Sequence, residues 1–314
     1  MGISFGHSWA DRGAAAANPL PPYAAAFGLS ARPFAATPAE GAIYWSGAHL
    51  RAQSVLEYGV VSAATAVVLT GEPGTGKTTL VQDLIARLGG DVRVALLANG
   101  QPGPRPVAAW VLAALGQPPA PEADALALAG QLASVALGER AAGRRILVIV
   151  DEAQALDTTA LEDLRLLTNP LEGTAPLAQL VLVGHGDLRD RLRGPWLRPL
   201  AQRVAAASHL GPMDAETVAA YVAHGLRAAG GTGEEVTPAA AQAIHAATGG
   251  IARLVNQLCD FALLYAWGLE RGRVDEALVA LVLSEGVFFG CEAPPPVLPP
   301  ASAAQAPALH RAAG

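Results

Sequence analysis

The sequence predicts an α/β fold: a five-stranded parallel sheet sandwiched by helices, followed by a small all-helical lid domain. Three observations predict it. Short apolar runs alternate with helix-patterned segments between residues 66 and 210, the rhythm of a parallel sheet with covering helices. A glycine-rich turn, Gly71-Glu72-Pro73-Gly74-Thr75-Gly76-Lys77-Thr78, joins the first of these runs to a helix. After Pro212 the strand signals stop and only helical patterns remain.

Residues 1–22, rich in Gly, Ala, Asn and Pro, read as a loose arm. In 23–37, Phe27, Pro33 and Phe34 suit packing onto something flat. A short helix is expected from His49 to Gly59, then a strand over 66–69, a helix over 77–88 and a strand over 92–98. Helical patterns over 107–115 and 123–137 are bounded by Pro-rich turns. The run 146–150 is continuous and β-branched, as a strand buried on both faces should be. A helix over 159–167, a strand over 177–183, Arg-rich helical turns over 188–203 and a strand over 204–210 complete the α/β domain, 23–211. The lid domain is expected over 212–290. Asp214 has the residue type of an N-cap, and Thr237-Pro238 pairs a cap with proline at the first helical position. Further helices are expected over 251–267 and 275–283. The tail 291–314 is Pro/Ala-rich and expected to be unfolded.

Composition narrows the class. Of 314 residues, 68 are alanine, so the positive mean hydropathy does not signal a membrane protein. No stretch approaches the roughly 18 apolar residues of a spanning helix, which predicts no direct membrane insertion. The N-terminus lacks a basic region followed by an apolar one. Two cysteines, Cys259 and Cys291, give neither a disulfide framework nor a metal cluster. A cytoplasmic location is the expectation. The net charge of −6 gives no global pull toward nucleic acid, yet 187–203 carries five Arg against two Asp, leaving a local patch possible. The basic set is twenty arginines and one lysine, Lys77, and that lysine falls inside the glycine-rich turn.

Strand, glycine-rich turn and helix in that order make a P-loop. Gly71, Gly74 and Gly76 let the backbone wrap so that its N–H groups face phosphate oxygens, and the following helix N-terminus adds partial positive charge. Lys77 then reaches the β- and γ-phosphates while the Thr78 hydroxyl ligates Mg²⁺. Glu72, Pro73, Thr75 and Thr79 complete the cofactor-binding set. Where the third run ends, Asp151 is placed to hold Mg²⁺ through its waters and Glu152 to polarise a water as general base. That second carboxylate implies hydrolysis. Guanine readers use an Asn-Lys-x-Asp motif, and no second lysine exists to supply it; ATP is favoured over GTP.

The set resembles the AAA+ ATPases, in particular the ExeA/GspA family first associated with type II secretion, and more distantly the TniB/TnsC-type transposition ATPases. The matching stretches are YAAAFGLSARPFAATP at 23–38, the P-loop, ILVIVDEAQ at 146–154, LEDLRLLTN at 161–169, LVLVGHGDLRDRL at 180–192, AQRVAAASHLGPM at 201–213 and GGIARLVNQLCD at 249–260. The resemblance implies that Arg253 is a sensor-two arginine contacting the γ-phosphate. Arg203 is implied as an arginine finger for a neighbouring subunit, with Arg198 as second choice. His185 stands where the family carries a sensor-one Gln, the alternative being a loop histidine. Asn99 is implied as a switch on Glu152 or is a turn asparagine. Pro33 and Phe34 border the adenine or pack as core. The resemblance further implies a homo-oligomeric ring or filament and a protein client that the sequence does not name. The alternative function is an ATP-dependent transposition helper that polymerises on DNA. Many secretion-linked members continue into a membrane segment and a peptidoglycan-binding domain, neither of which is recognisable in this sequence.

Overall fold

The computed structural model describes residues 20–35, 42–98, 106–120, 122–170 and 176–288. The strands β1 Ala66–Gly71, β2 Val92–Leu97, β3 Arg145–Val150, β4 Gln179–Gly184 and β5 Val204–Leu210 form one sheet in the order β2-β3-β4-β1-β5. All neighbours are parallel. β4 begins later than expected because the N–H groups of Leu177 and Ala178 bond back to the carbonyls of Asn169 and Leu167.

The helices of the α/β layer are α1 Gly47–Val61, α2 Lys77–Arg87, α3 Val107–Ala114, α4 Ala125–Ala141, α5 Thr158–Leu167, α6 Gly186–Arg193 and α7 Arg198–Ala201. The expected Arg-rich helical turns comprise α6 and α7, separated by Gly194 and by Pro195, which opens a 3-10 turn, Pro195–Leu197. The apolar strands divide their side chains by parity, as a pleated strand must. Val67 and Leu69 of β1, Leu147 and Ile149 of β3, and Val181 and Val183 of β4 pack with α1 and α2. Val68, Val148, Val150, Leu180 and Leu182 pack on the opposite face with α3, α4, α5 and α6. Burial of both faces is why these strands read as unbroken apolar runs.

Four further helices, α8 Ala215–Ala228, α9 Pro238–Thr248, α10 Ala252–Gly268 and α11 Glu276–Ser284, surround a separate cluster that includes Val222, Leu226, Leu258 and Leu263. Side-chain oxygens of Asp214 and Thr237 accept the expected N-terminal bonds of α8 and α9, and Asp275, expected as the first residue of the last helix, instead caps α11 in the same way. Residues 20–35 differ from the expected division at residue 23. Tyr23, Phe27, Leu29 and Phe34 are buried in the helical cluster, and Arg32 pairs with Asp260 at 2.6 Å. The apolar face left open by α8 and α10 takes up these aromatics. Among the described residues no helix is long and apolar enough to cross a membrane.

Cys259 of α10 is fully buried, and burial drives its thiol pKa far upward. It is therefore expected to resist alkylation at neutral pH in the folded chain and to label completely once denaturant is added. Peptide mass spectrometry reads this directly; rapid labelling of Cys259 without denaturant would contradict the packing.

Candidate nucleotide site

In open α/β sheets ligands bind beyond the C-terminal ends of the strands. Here β4 lies between β3 and β1, so three loops meet at that edge: Asp151-Glu152 after β3, His185 after β4 and the P-loop after β1. These residues are spread over more than a hundred positions of the sequence, from Gly71 to His185; the strand order brings them together.

Lys77 opens α2 and is 5% exposed. Its ammonium donates to the carbonyl oxygens of Gly71 and Glu72, each at 2.9 Å. Burial lowers its pKa, opposed by the nearby Glu152, Asp151 and Glu72 carboxylates, while Arg253 lowers it further. Thr78 Oγ1 donates to Asp151 Oδ2 at 2.9 Å, and Asp151 Oδ1 accepts the Glu152 N–H at 3.0 Å. A hydroxyl and a carboxylate oxygen side by side are the hard donors Mg²⁺ prefers, with waters and phosphates filling its remaining positions. The residues present fit that ion. No cluster of three or more His, Cys, Asp or Glu is needed for it, and none occurs among the described residues.

Glu152 sits in the left-handed region, φ 57°, a conformation that costs a non-glycine residue about 1 kcal/mol or more. Its carboxylate is held: Gln154 Nε2 donates to Oε2 at 2.5 Å, and His185 Nε2 lies 3.2 Å from the same oxygen. Gln154 Oε1 also accepts the His185 N–H at 3.1 Å. Arg191 of α6 donates to the carbonyls of Gln154 and Leu156 at 2.7 and 2.8 Å. His185 thus reaches the Glu152 carboxylate from the loop that follows β4. Gln154, which no separate motif marked, ties the two together.

The lid touches the loop directly. The Arg253 N–H donates to the Gly74 carbonyl at 3.1 Å, and a Cβ on Gly74 would stand 2.7 Å from Arg253 Cβ. On the other side, His49 of α1 bonds the Thr75 carbonyl through Nε2 at 3.1 Å. Its only sequence signal was Ser46, a serine of N-cap type three residues earlier; the helix was expected to start at His49, whereas it starts at Gly47.

Other expected site residues lie elsewhere. Arg203 precedes β5, at the opposite end of the sheet from the P-loop that β1 carries. Its guanidinium donates to Thr168 O, Thr168 Oγ1 and Asn169 Oδ1 at 2.7, 3.1 and 2.7 Å. Arg198 is exposed. Phe34 and Pro33 pack against Gly225 of α8, inside the helical cluster. Asn99 falls outside the described residues.

Strand order, P-loop and paired carboxylates define an AAA+-class P-loop protein, and comparison agrees. The AAA domain family matches residues 61–192. Similar solved structures include Cdc6p from Pyrobaculum aerophilum (18% identity, TM-score 0.64, 83% of this chain and 72% of that one). Another is the Aeropyrum pernix ORC2 protein (19%, TM-score 0.61, 82% and 71%); at these identities the likeness shows the fold. Within that class the chain is similar to the ExeA/GspA family: it is 38% identical over 263 residues to General secretion pathway protein A of Aeromonas hydrophila, a match covering 84% of this chain. The chain spans 48% of that relative's length.

Gly74 has φ 83° and no room for a side chain beside Arg253. Gly74→Ala is expected to weaken nucleotide binding about tenfold or more while leaving the circular dichroism spectrum unchanged, from backbone strain of about 1–3 kcal/mol. Unaltered affinity in titration calorimetry would show that the loop and lid do not meet as described.

Proposed function

We propose that this chain binds and hydrolyses Mg²⁺-ATP in the cytoplasm and acts as an oligomeric switch or motor. One observation carries the reading: Lys77, Thr78, Asp151 and Glu152, legible as separate motifs, converge at one edge of the sheet, linked by the Thr78–Asp151 hydrogen bond. The loop amides and Lys77 bind and orient the phosphates. Thr78 and Asp151 would hold Mg²⁺, which when bound neutralises phosphate charge. Glu152 takes a proton from the attacking water, and His185 and Gln154 set where its carboxylate points. Arg253 approaches from the lid, so lid position and phosphate occupancy are linked.

An arginine acting in trans makes the chain oligomeric. Arg203 lies about 20 Å from its own P-loop, the length of β5, so any phosphate it contacts belongs to another copy. Arg198, exposed one turn earlier, serves the same edge. Such a head-to-tail contact generates rings or filaments.

Turnover assays on variants test this reading. Lys77→Ala is expected to weaken ATP binding about 100-fold. Glu152→Gln should keep binding but lose at least about 100-fold in turnover. Thr78→Val should abolish the Mg²⁺-dependence of affinity while Mg²⁺-free binding remains. Normal hydrolysis by Glu152→Gln would rule out the general-base assignment.

A second reading is DNA binding by the arginine-rich edge. Trp196 is 83% exposed between exposed Arg193 and Arg198, a basic and aromatic combination suited to phosphates and stacked bases. Drosophila ORC, solved bound to DNA, shares the fold at 18% identity and TM-score 0.59, covering 91% of this chain and 71% of that one. DNA affinity that falls steeply with added salt and is lost in Trp196→Ala supports this reading; no binding at low salt removes it.

A further inference from the structure

We propose that His49 is a positioning residue of the nucleotide site, setting the direction of a P-loop amide, with the Ser46 hydroxyl donating to its ring Nδ1. This rests on the nucleotide reading above and extends it to a helix outside the P-loop.

The Ser46 hydroxyl caps α1, accepting the His49 N–H at 3.3 Å. The same oxygen lies 2.6 Å from His49 Nδ1. The Thr75 carbonyl, 3.1 Å from Nε2, can only accept, so His49 carries its hydrogen on Nε2, and Nδ1 of the neutral ring accepts the Ser46 hydroxyl proton. Burial favours the neutral ring, opposed by the bond to Thr75.

The consequence follows from peptide geometry. The Thr75 C=O and the Gly76 N–H belong to one planar trans unit and point in opposite directions. Holding the carbonyl toward α1 aims the Gly76 N–H the other way, into the hollow of the loop where phosphate oxygens bind. Gly76 makes this possible: its φ is 99°, and a Cβ there would come within 3.0 Å of His49 Nε2. Trp45, edge-on to the His49 ring at 6.2 Å, keeps the imidazole in place.

A second link makes α1 more than a prop. Tyr44, two residues before the cap, packs edge-on to Tyr221 and tilts onto His224, both on α8. Tyr221 donates to Asn256 Oδ1 of α10 at 2.7 Å, one turn beyond Arg253. The segment 44–49 thus joins lid helices to the Thr75 peptide, while Arg253 joins them to the Gly74 peptide. Lid and loop are connected at two adjacent peptides.

The test measures ATP affinity by titration, and kcat and KM separately, for His49→Ala and His49→Gln in the full chain. Gln is the rescue because its amide N–H occupies the place of Nε2. His49→Ala is expected to weaken ATP binding about tenfold, the size of one lost hydrogen bond that preorganises a loop. Saturated kcat should change by less than about twofold, and His49→Gln should recover most of the affinity. Nitrogen-15 spectra of the unaltered protein should show His49 protonated on Nε2. Equal affinity in His49→Ala, no recovery in His49→Gln, or protonation on Nδ1 would each overturn the assignment. A parent protein that binds no ATP overturns the nucleotide reading and this assignment with it; a parent that binds ATP while indifferent to His49→Ala overturns this assignment alone.

Discussion

A loop that binds phosphate with its amides must have its carbonyls held somewhere else. In this chain each P-loop carbonyl described above has a named donor: Lys77 for Gly71 and Glu72, the Arg253 amide for Gly74, and His49 for Thr75. The sheet, the lid and the capped start of α1 all converge on this requirement. A buried ammonium without these acceptors would be strongly disfavoured, so Lys77 and the loop stabilise one another.

The neighbouring carboxylates follow the same economy of placement. Inserting β4 between β1 and β3 leaves space for His185 to contact Glu152 while Asp151 stays beside Thr78. Glu152 occupies a strained backbone conformation, and the contacts from Gln154 and His185 over-determine it. Arg191 extends this contact chain to α6.

Much of this was legible in the sequence because it depends on local order. The P-loop is a contiguous string between a strand and a helix, and Asp151-Glu152 ends an unbroken apolar run; spacing alone placed Lys77, Thr78 and the two carboxylates. Caps at Asp214 and Thr237 are equally local. What escaped depends on distance. His49 and Gln154 act through residues 26 and 31 positions away, and a single histidine or glutamine carries no periodic signature. Arg203 was singled out only through the family resemblance, as an arginine finger, whereas its bonds to Thr168 and Asn169 require α5 and β5 to be placed first. The aromatic segment at 23–34 was recognisable as something that packs; which apolar face it chose was set by α8 and α10, whose open side no pattern in 23–34 encodes.

The central claim is that one chain holds the phosphate cradle and the general base, and that a neighbouring copy supplies the arginine completing them. Phosphate release from Mg²⁺-ATP, measured as specific activity across a wide range of protein concentrations, tests it most directly. Specific activity should climb with concentration and then level off as copies assemble. Activity that is constant from the most dilute sample upward, or absent at every concentration, would contradict the account.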